Sequence, residues 1–137
     1  DGMDLIAVIM GSETRDARNA AATQLLDWGF ANYCVYCDEA GEGENVSVAG
    51  GVSPDVGTLL PEVRLLLPKG SAEKVEKRCE YTERTAAPVR RGDVLGSVTY
   101  TLDGETVAEE YITAERDVDK ISFGGVLLRI FESFLLY

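Results

Sequence analysis

Hydrophobic and polar positions divide the chain into a short helical start, a long β-rich stretch and an apolar tail. Residues 4–10 form a compact apolar run that is typical of a buried strand, and Gly11 ends it. An Ala-rich helical pattern follows, with Thr14 as the predicted N-cap. Gly29 is predicted at the left-handed position after the helix end.

The predicted helix carries one apolar stripe at helical spacing, made of Ala17, Ala21, Leu25 and Trp28. A buried strand needs neighbours in a sheet, and an amphipathic helix needs a surface to cover. A single strand and helix cannot form a core. We therefore interpret residues 1–34 as the last strand and helix of a larger domain, and we expect self-association through residues 1–30 because exposed apolar patches tend to bind another chain.

From residue 44 to residue 113 the pattern changes to short strands separated by turns. Val75, Cys79 and Tyr81 share one face of a predicted strand, so Cys79 is interpreted as a core residue. Several short strands at this spacing predict a small antiparallel β-sandwich over residues 35–118. The expected fold class is mostly β, with helices on either side of the sandwich.

The strongest local signal is a predicted hairpin around Asp103-Gly104, which is a favoured two-residue turn. The turn predicts that Tyr100 lies opposite Val107. Alternation falters at Glu109-Glu110, which predicts a bulge or an edge. The residues expected in the core are Val98, Tyr100 and Leu102.

Glu115–Lys120 is predicted to be a charged connector, and residues 119–137 are assigned to an amphipathic helix whose helical pattern begins at Phe123. A segment this short and apolar either packs on protein or lies in a membrane interface. No run reaches the roughly 18 apolar residues of a membrane span. The residues predicted to associate with a membrane are Phe123, Val126, Leu127, Ile130, Phe131, Phe134 and Leu135.

The formal net charge of −11 argues against nucleic-acid binding, which requires clustered Lys and Arg. It also argues against charge-driven docking to anionic lipid. No signal peptide is visible at the start, so any such signal is expected upstream of Asp1.

The chain offers few groups for metal or nucleophilic chemistry. Cys34 and Cys37 have C-x-x-C spacing, but with no His and one further Cys a complete zinc site is not expected. The absence of His also excludes a Ser/His/Asp arrangement. Ser71 and Lys74 fit the letters S-x-x-K, yet they lie in the β-rich region and are interpreted as a surface turn. No cofactor is expected.

Three blocks in order resemble the low-molecular-mass penicillin-binding proteins of the serine D-alanyl-D-alanine carboxypeptidase family. The first is Met3–Gly11 with Leu25–Phe30, which is similar to the last strand and helix of the family's catalytic domain. The second is Ala87-Pro88-Val89 with Thr101–Gly104, which is similar to its β-rich C-terminal domain. The third is the terminal amphipathic segment.

The resemblance implies that a longer parent protein removes the terminal D-Ala from peptidoglycan stem peptides through an acyl-serine. It implies a location at the outer face of the cytoplasmic membrane, with the tail in the interface and the sandwich as a stalk or interaction module. Arg18 corresponds to an arginine near the substrate's terminal carboxylate, although a solvated or structural charge is the alternative. S-x-N and K-T-G are absent and S-x-x-K lacks its context, so this chain alone is not expected to be an enzyme.

The rival interpretation is a stand-alone β-rich binding module with a helical extension, unrelated to an enzyme. The coding sequence before Asp1 discriminates between the two. An upstream K-T-G supports the parent enzyme, whereas a natural start at this point supports the module.

Overall fold

The computed structural model describes residues 2–122, 124, 125 and 127. The fold is mostly β, as the sequence predicts, and its long helix α1 precedes the strands. A two-sheet sandwich with the predicted flanking arrangement is not confirmed, because the strands form three sheets.

The elements are α1 (Arg15–Asn32), β1 (Tyr33–Asp38), β2 (Gly41–Glu42), β3 (Val46–Ala49), β4 (Asp55–Val56), β5 (Thr58–Leu60), β6 (Val63–Pro68), a 3-10 helix (Ala72–Lys74), β7 (Val75–Tyr81), β8 (Arg84–Ala86), β9 (Val94–Leu102) and β10 (Glu105–Ala114).

The start of α1 follows the prediction, whereas its end does not. The Thr14 hydroxyl accepts a hydrogen bond from the backbone N–H of Ala17 at 3.2 Å, as an N-cap should. Gly29 is not the cap. It lies buried inside the helix, where a Cβ would overlap the Leu5 side chain, and Tyr33 is the C-cap. Gly29 therefore permits close approach of the N-terminal segment.

Residues 4–10 do not form the predicted strand, because no described strand pairs with them. The segment has alternating exposure: Leu5, Ala7 and Ile9 are half-buried, while Ile6 and Val8 are exposed. It lies along α1 as an unpaired apolar segment, with apolar side chains on both faces.

The largest sheet has five strands in the order β2-β5-β10-β9-β7, all antiparallel. A second sheet has the order β4-β3-β8, in which β3 and β8 run parallel. The strands β1 and β6 pair with each other alone as an antiparallel ribbon. We call this pair the β1–β6 ribbon.

Each smaller sheet covers part of the five-stranded sheet. The ribbon contributes Val63, Tyr36 and Leu65 to a cluster around Tyr100 and Ile112. The three-stranded sheet contributes to a second cluster, which comprises Val46, Val48, Val56, Val89, Leu95, Ala114 and Val118. Burial of these side chains provides the main driving force for the fold.

The predicted β9–β10 hairpin is present, but its register differs from the prediction. Asp103 and Gly104 form the turn with positive φ angles of 51° and 86°. Tyr100 lies opposite Ala108, not Val107, because Val107 is an extra residue in a bulge. A second register shift occurs at Leu95, which has no partner between the pairs Ile112–Gly96 and Thr113–Val94. The bulge predicted at Glu109-Glu110 is not there, because both residues pair regularly with β9.

The residues after β10 are held by the domain, contrary to the expected charged connector. Val118 is buried and forms a bridge with Val89, and Lys120 forms a bridge with Gly51. Gly124, Gly125 and Leu127 have helical backbone conformation.

Candidate functional site

Arg18, the candidate carboxylate-binding residue, lies in the first half of α1 and is exposed. Its backbone N–H donates to the Thr14 carbonyl oxygen at 3.2 Å, which is an ordinary helical bond. Among the described residues, no ion pair with the Arg18 guanidinium forms. The side chain is therefore accessible to an anion from outside the described part of the chain.

An open apolar surface lies on the same side of the molecule as α1. We call it the N-terminal apolar face; its exposed apolar residues are Ile6, Val8, Leu25, Trp28 and Leu66. Ile6 is 91% exposed and Val8 is 76% exposed. A cleft of about 310 Å³ runs along it, lined by the N-terminal segment, the end of α1 and Leu66. Contiguous apolar surface of this kind marks an interaction site.

Half of the predicted helix stripe belongs to this open surface. Leu25 is 53% and Trp28 58% exposed, Ala17 is exposed outside the cleft, and Ala21 is half-buried. The helix instead turns Ala22, Leu26 and Gly29 inward. These positions have helical spacing too, so α1 is apolar on two faces.

The Ser71–Lys74 segment is the surface turn that the sequence predicts. Ser71 precedes the 3-10 helix, and Lys74 pairs with Asp103 across 3.7 Å. Both partners are exposed, so the contact contributes little to stability.

The three cysteines are free thiols. Cys34 and Cys37 lie three residues apart on β1, so their side chains point to opposite faces. Cys79 packs half-buried against the cluster around Tyr100, as predicted. Within the described part of the chain, no three His, Cys, Asp or Glu side chains are placed to hold a metal ion.

A polar cluster joins the β1–β6 ribbon to the five-stranded sheet. We call Asp38, Lys77 and Tyr100 the Asp38 cluster. The Tyr100 hydroxyl donates to Asp38 Oδ2 at 2.5 Å, and Lys77 Nζ lies 2.6 Å from the same oxygen. Lys77 Nζ also lies 6.0 Å from the centre of the Tyr100 ring.

The protonation states in the cluster support one another. The hydrogen bond from Lys77, followed by that from Tyr100, lowers the pKa of Asp38. The hydrogen bond to Asp38 raises the pKa of Lys77, and burial followed by the Asp38 contact raises the pKa of Tyr100. At neutral pH the cluster therefore holds a carboxylate, an ammonium and a neutral phenol.

Sequence reasoning missed this cluster. Asp38 begins an acidic, Gly-rich run over residues 38–43 that is typical of a turn, but in the structure it is the last residue of β1. The available signal was Lys77, which alternation places on the inward face between Val75 and Cys79. A charged residue at an inward position calls for a partner.

Of the predicted membrane-associating residues, only Leu127 lies within the described residues, and it is half exposed. The others lie outside them: Phe123, Val126, Ile130, Phe131, Phe134 and Leu135. In the described part of the chain, no helix has the length and apolar character needed to cross a membrane.

Fold and surface together define the class: a β-rich module joined to a helical segment with an open apolar face. A family model described as the C-terminal domain of penicillin-binding protein 5 matches residues 38–120. The chain belongs to this penicillin-binding protein 5 C-terminal domain family. The resemblance to the low-molecular-mass penicillin-binding proteins is thereby confirmed.

Named relatives agree with the family. D-alanyl-D-alanine carboxypeptidase DacA of Haemophilus influenzae is 33% identical over 132 residues, and DacF of Bacillus subtilis is 30% identical over 131 residues. Each alignment covers 93% of this chain, so most residues before position 38 are matched as well. The chain spans about a third of the length of these relatives, 33% and 34% respectively.

Solved structures show the same fold. Penicillin binding protein 5 from Haemophilus influenzae aligns with a TM-score of 0.69 and 31% identity, over 82% of this chain and 34% of that one. A peptidoglycan synthesis regulatory factor (PBP3) from Streptococcus pneumoniae aligns with a TM-score of 0.56 and 18% identity, over 77% of this chain and 32% of that one. The second likeness concerns the fold alone.

Proposed function

We propose that this chain is the non-catalytic C-terminal part of a serine-type D-alanyl-D-alanine carboxypeptidase. The upstream part of that enzyme trims the terminal D-Ala from peptidoglycan stem peptides through an acyl-serine intermediate. The observation that carries the proposal is the similarity to two proteins named D-alanyl-D-alanine carboxypeptidase over 93% of the chain.

The absence of the family's catalytic motifs from this chain supports a non-catalytic role for it. The chain has no His, and the S-x-N and K-T-G sequences are absent. Ser71 and Lys74, which fit S-x-x-K in letters, lie at a 3-10 turn beside β7 rather than on a buried helix. A serine nucleophile needs an adjacent base and an oxyanion site, which these residues do not supply.

The N-terminal apolar face supports the further proposal that the start of this chain completes a catalytic domain. In the proposed parent, this face packs against the rest of the catalytic domain, with residues 4–10 as a strand of its sheet. Arg18, exposed on α1, binds the terminal carboxylate of the stem peptide by a charge-assisted hydrogen bond. The β-rich part serves as a stalk or interaction module, and the apolar tail lies in the interface at the outer face of the cytoplasmic membrane.

The decisive experiment compares this chain with the product of the longer reading frame that contains it. We expect the longer protein to release D-Ala from a D-Ala-D-Ala peptide and to form a penicillin adduct detectable by intact mass. This chain should do neither. A stoichiometric adduct on this chain, or a longer protein without K-T-G and without an adduct, would refute the proposal.

Arg18 is tested in the same longer protein. Loss of a hydrogen bond between charged groups costs about 1.5–3 kcal/mol, so Arg18→Ala should lower kcat/KM by roughly 10- to 100-fold. Arg18→Lys should recover part of this loss. An unchanged kcat/KM in Arg18→Ala would show that Arg18 does not bind the substrate and is a solvated or structural charge.

The rival function, a stand-alone binding module unrelated to an enzyme, is less well supported. The relatives match the helical start together with the β-rich part, not the β-rich part alone. A natural start codon at the beginning of this chain would reverse that judgement.

A further inference from the structure

The helix α1 is attached firmly to the β1–β6 ribbon. It continues into β1 without a linker, because Tyr33 both caps α1 and begins β1. The residue after β6 binds the helix end twice: the Lys69 N–H donates to the Asn32 carbonyl oxygen at 2.8 Å, and Lys69 Nζ donates to the Phe30 carbonyl oxygen at 3.3 Å. The ribbon and the helix end therefore move together.

The attachment of the ribbon to the five-stranded sheet is of a different kind. Among the described strands, β1 and β6 pair only with each other, so no ladder of backbone hydrogen bonds joins the two sheets. Apolar contacts join them, including the edge-on contact between Tyr36 and Tyr100 with ring centres 6.3 Å apart. Burial itself is non-directional, and an aromatic contact constrains the angle between the two sheets less strictly than a hydrogen bond does.

Within the described part of the chain, the side-chain hydrogen bond and the ion pair between ribbon and sheet converge on one oxygen atom. Asp38 Oδ2 accepts from the Tyr100 hydroxyl of β9 and from Lys77 of β7, at the end of β1 that lies far from α1. The Tyr100 side chain is fully buried and its neighbours hold it in place, so the hydroxyl is a fixed point on the sheet. Lys77 and Asp38 are only partly exposed, at 34% and 24% of the side chain.

We propose that the Asp38 cluster is a latch that fixes the β1–β6 ribbon, and with it α1, at one angle on the five-stranded sheet. An isolated two-stranded ribbon is marginally stable in water, so the ribbon depends on this docking. With the latch open, the ribbon leaves the sheet more often and its β1–β6 hydrogen bonds then open, so that α1 loses its fixed angle while the rest of the β-rich part stays folded. The latch thus sets the orientation of everything before residue 38 relative to the β-rich part, whether or not an enzyme precedes it.

Hydrogen exchange of the native chain tests the latch. In Lys77→Met, which keeps the apolar stem, we expect backbone amides of residues 33–38 and 63–68 to exchange at least tenfold faster. Amides at the centre of the five-stranded sheet, such as those of Val98 and Ile112, should keep their rates. Asp38→Asn should have the same pattern with a larger effect. Equal acceleration in ribbon and sheet, or no acceleration in the ribbon, would overturn the proposal.

The ribbon supplies a matched control. The Arg64 Nε–Glu62 Oε1 pair has the same 2.6 Å separation as the Lys77–Asp38 pair, but it is exposed and does not reach the sheet. Glu62→Gln should leave ribbon exchange unchanged, and an effect equal to that of Lys77→Met would contradict the latch. Residual dipolar couplings report the angle: one alignment tensor should fit α1 and the sheet in the wild type but not in Lys77→Met. A single tensor in both proteins would also count against the latch.

Discussion

Tyr100 combines an apolar ring in the core with a hydroxyl at the Asp38 cluster. Its side chain is fully buried, and Asp38 accepts its hydrogen bond. Replacement by Ala removes both contributions, and we expect a loss of about 3–5 kcal/mol in the free energy of unfolding. Replacement by Phe keeps the ring and removes only the hydrogen bond to a charged acceptor, for which we expect about 1.5–3 kcal/mol.

Urea unfolding of the two variants measures these losses. Thr99→Ala on the same strand, whose side chain points to the opposite face, is the control and should change little. Equal losses for Tyr100→Phe and Tyr100→Ala would mean that the ring contributes nothing, and wild-type stability in Tyr100→Ala would remove Tyr100 from the core.

Because of Asp38, the free energy of unfolding should depend on pH in the acidic range. Its pKa in the folded protein is below the ordinary value of 3.8. The folded state therefore binds its proton less readily than the unfolded state does. The resulting stabilisation is complete above the unfolded pKa and is lost as pH falls through the folded pKa.

We expect the stability difference between the wild type and Asp38→Asn to be constant above about pH 5 and to shrink below it. Comparing the two proteins at each pH cancels the titration of the other carboxylates. Denaturant unfolding at several pH values measures the difference. A difference that stays constant down to about pH 2 would show that Asp38 titrates as in the unfolded chain.

At this scale the sequence predicted the apolar residues better than the polar ones. Strand alternation identified Val98 and Tyr100 as buried, whereas Leu102 is only half-buried beside the turn. Alternation reports the face of a residue and not its partner in space. The contact between Asp38 and Tyr100 spans 62 residues of sequence, so periodicity could not reveal it.

At the scale of elements, local signals succeeded and signals that depend on neighbours failed. Thr14 caps α1 and Asp103-Gly104 turns the hairpin, because both act through bonds and angles within a few residues. The predicted strand over residues 4–10 is absent, since a strand needs a partner that the described chain does not supply. Glycine is a common residue just after a helix end, but Gly29 lies inside α1 and lets Leu5 pack closely against the helix. That role depends on a tertiary contact, which the local sequence does not reveal.

The N-terminal apolar face should cause self-association of this chain. Burial of apolar area contributes about 25 cal/mol per Å², and Ile6, Val8 and Trp28 are all more than half exposed. The net charge of −11 on each copy opposes association. Since salt screens this repulsion, association should strengthen as ionic strength rises.

Sedimentation velocity at low and high salt measures this. The double variant Ile6→Ser, Val8→Ser should remain monomeric under both conditions. Val94→Ser is the control, because Val94 is 57% exposed but lies on β9 outside the face. A monomeric wild type at all concentrations, or association that the double variant retains, would rule out this face as the contact.

At the scale of the whole molecule, the sequence has apolar segments both before and after an acidic β-rich part. Val118 and Lys120 are bridged to the β-rich part, and Ile121 donates a backbone hydrogen bond to the Gly50 carbonyl oxygen at 2.8 Å. The tail therefore departs from a fixed point on the domain. The sequence could not show this anchoring, because the charges around Val118 resemble those of a linker.

The apolar tail is expected to bind membranes without the help of charge. Each Leu or Phe side chain that it buries contributes about 1.5–3 kcal/mol, and ordering the segment offsets part of the gain. We expect the chain to float with neutral vesicles at an efficiency that barely depends on salt. On anionic vesicles the net charge of −11 should weaken binding at low salt, and added salt should restore it.

Phe131→Ser with Phe134→Ser should abolish flotation, whereas Val94→Ser should not. If the double variant floats as well as the wild type, or if binding to neutral vesicles disappears at moderate salt, the tail does not act as an apolar anchor.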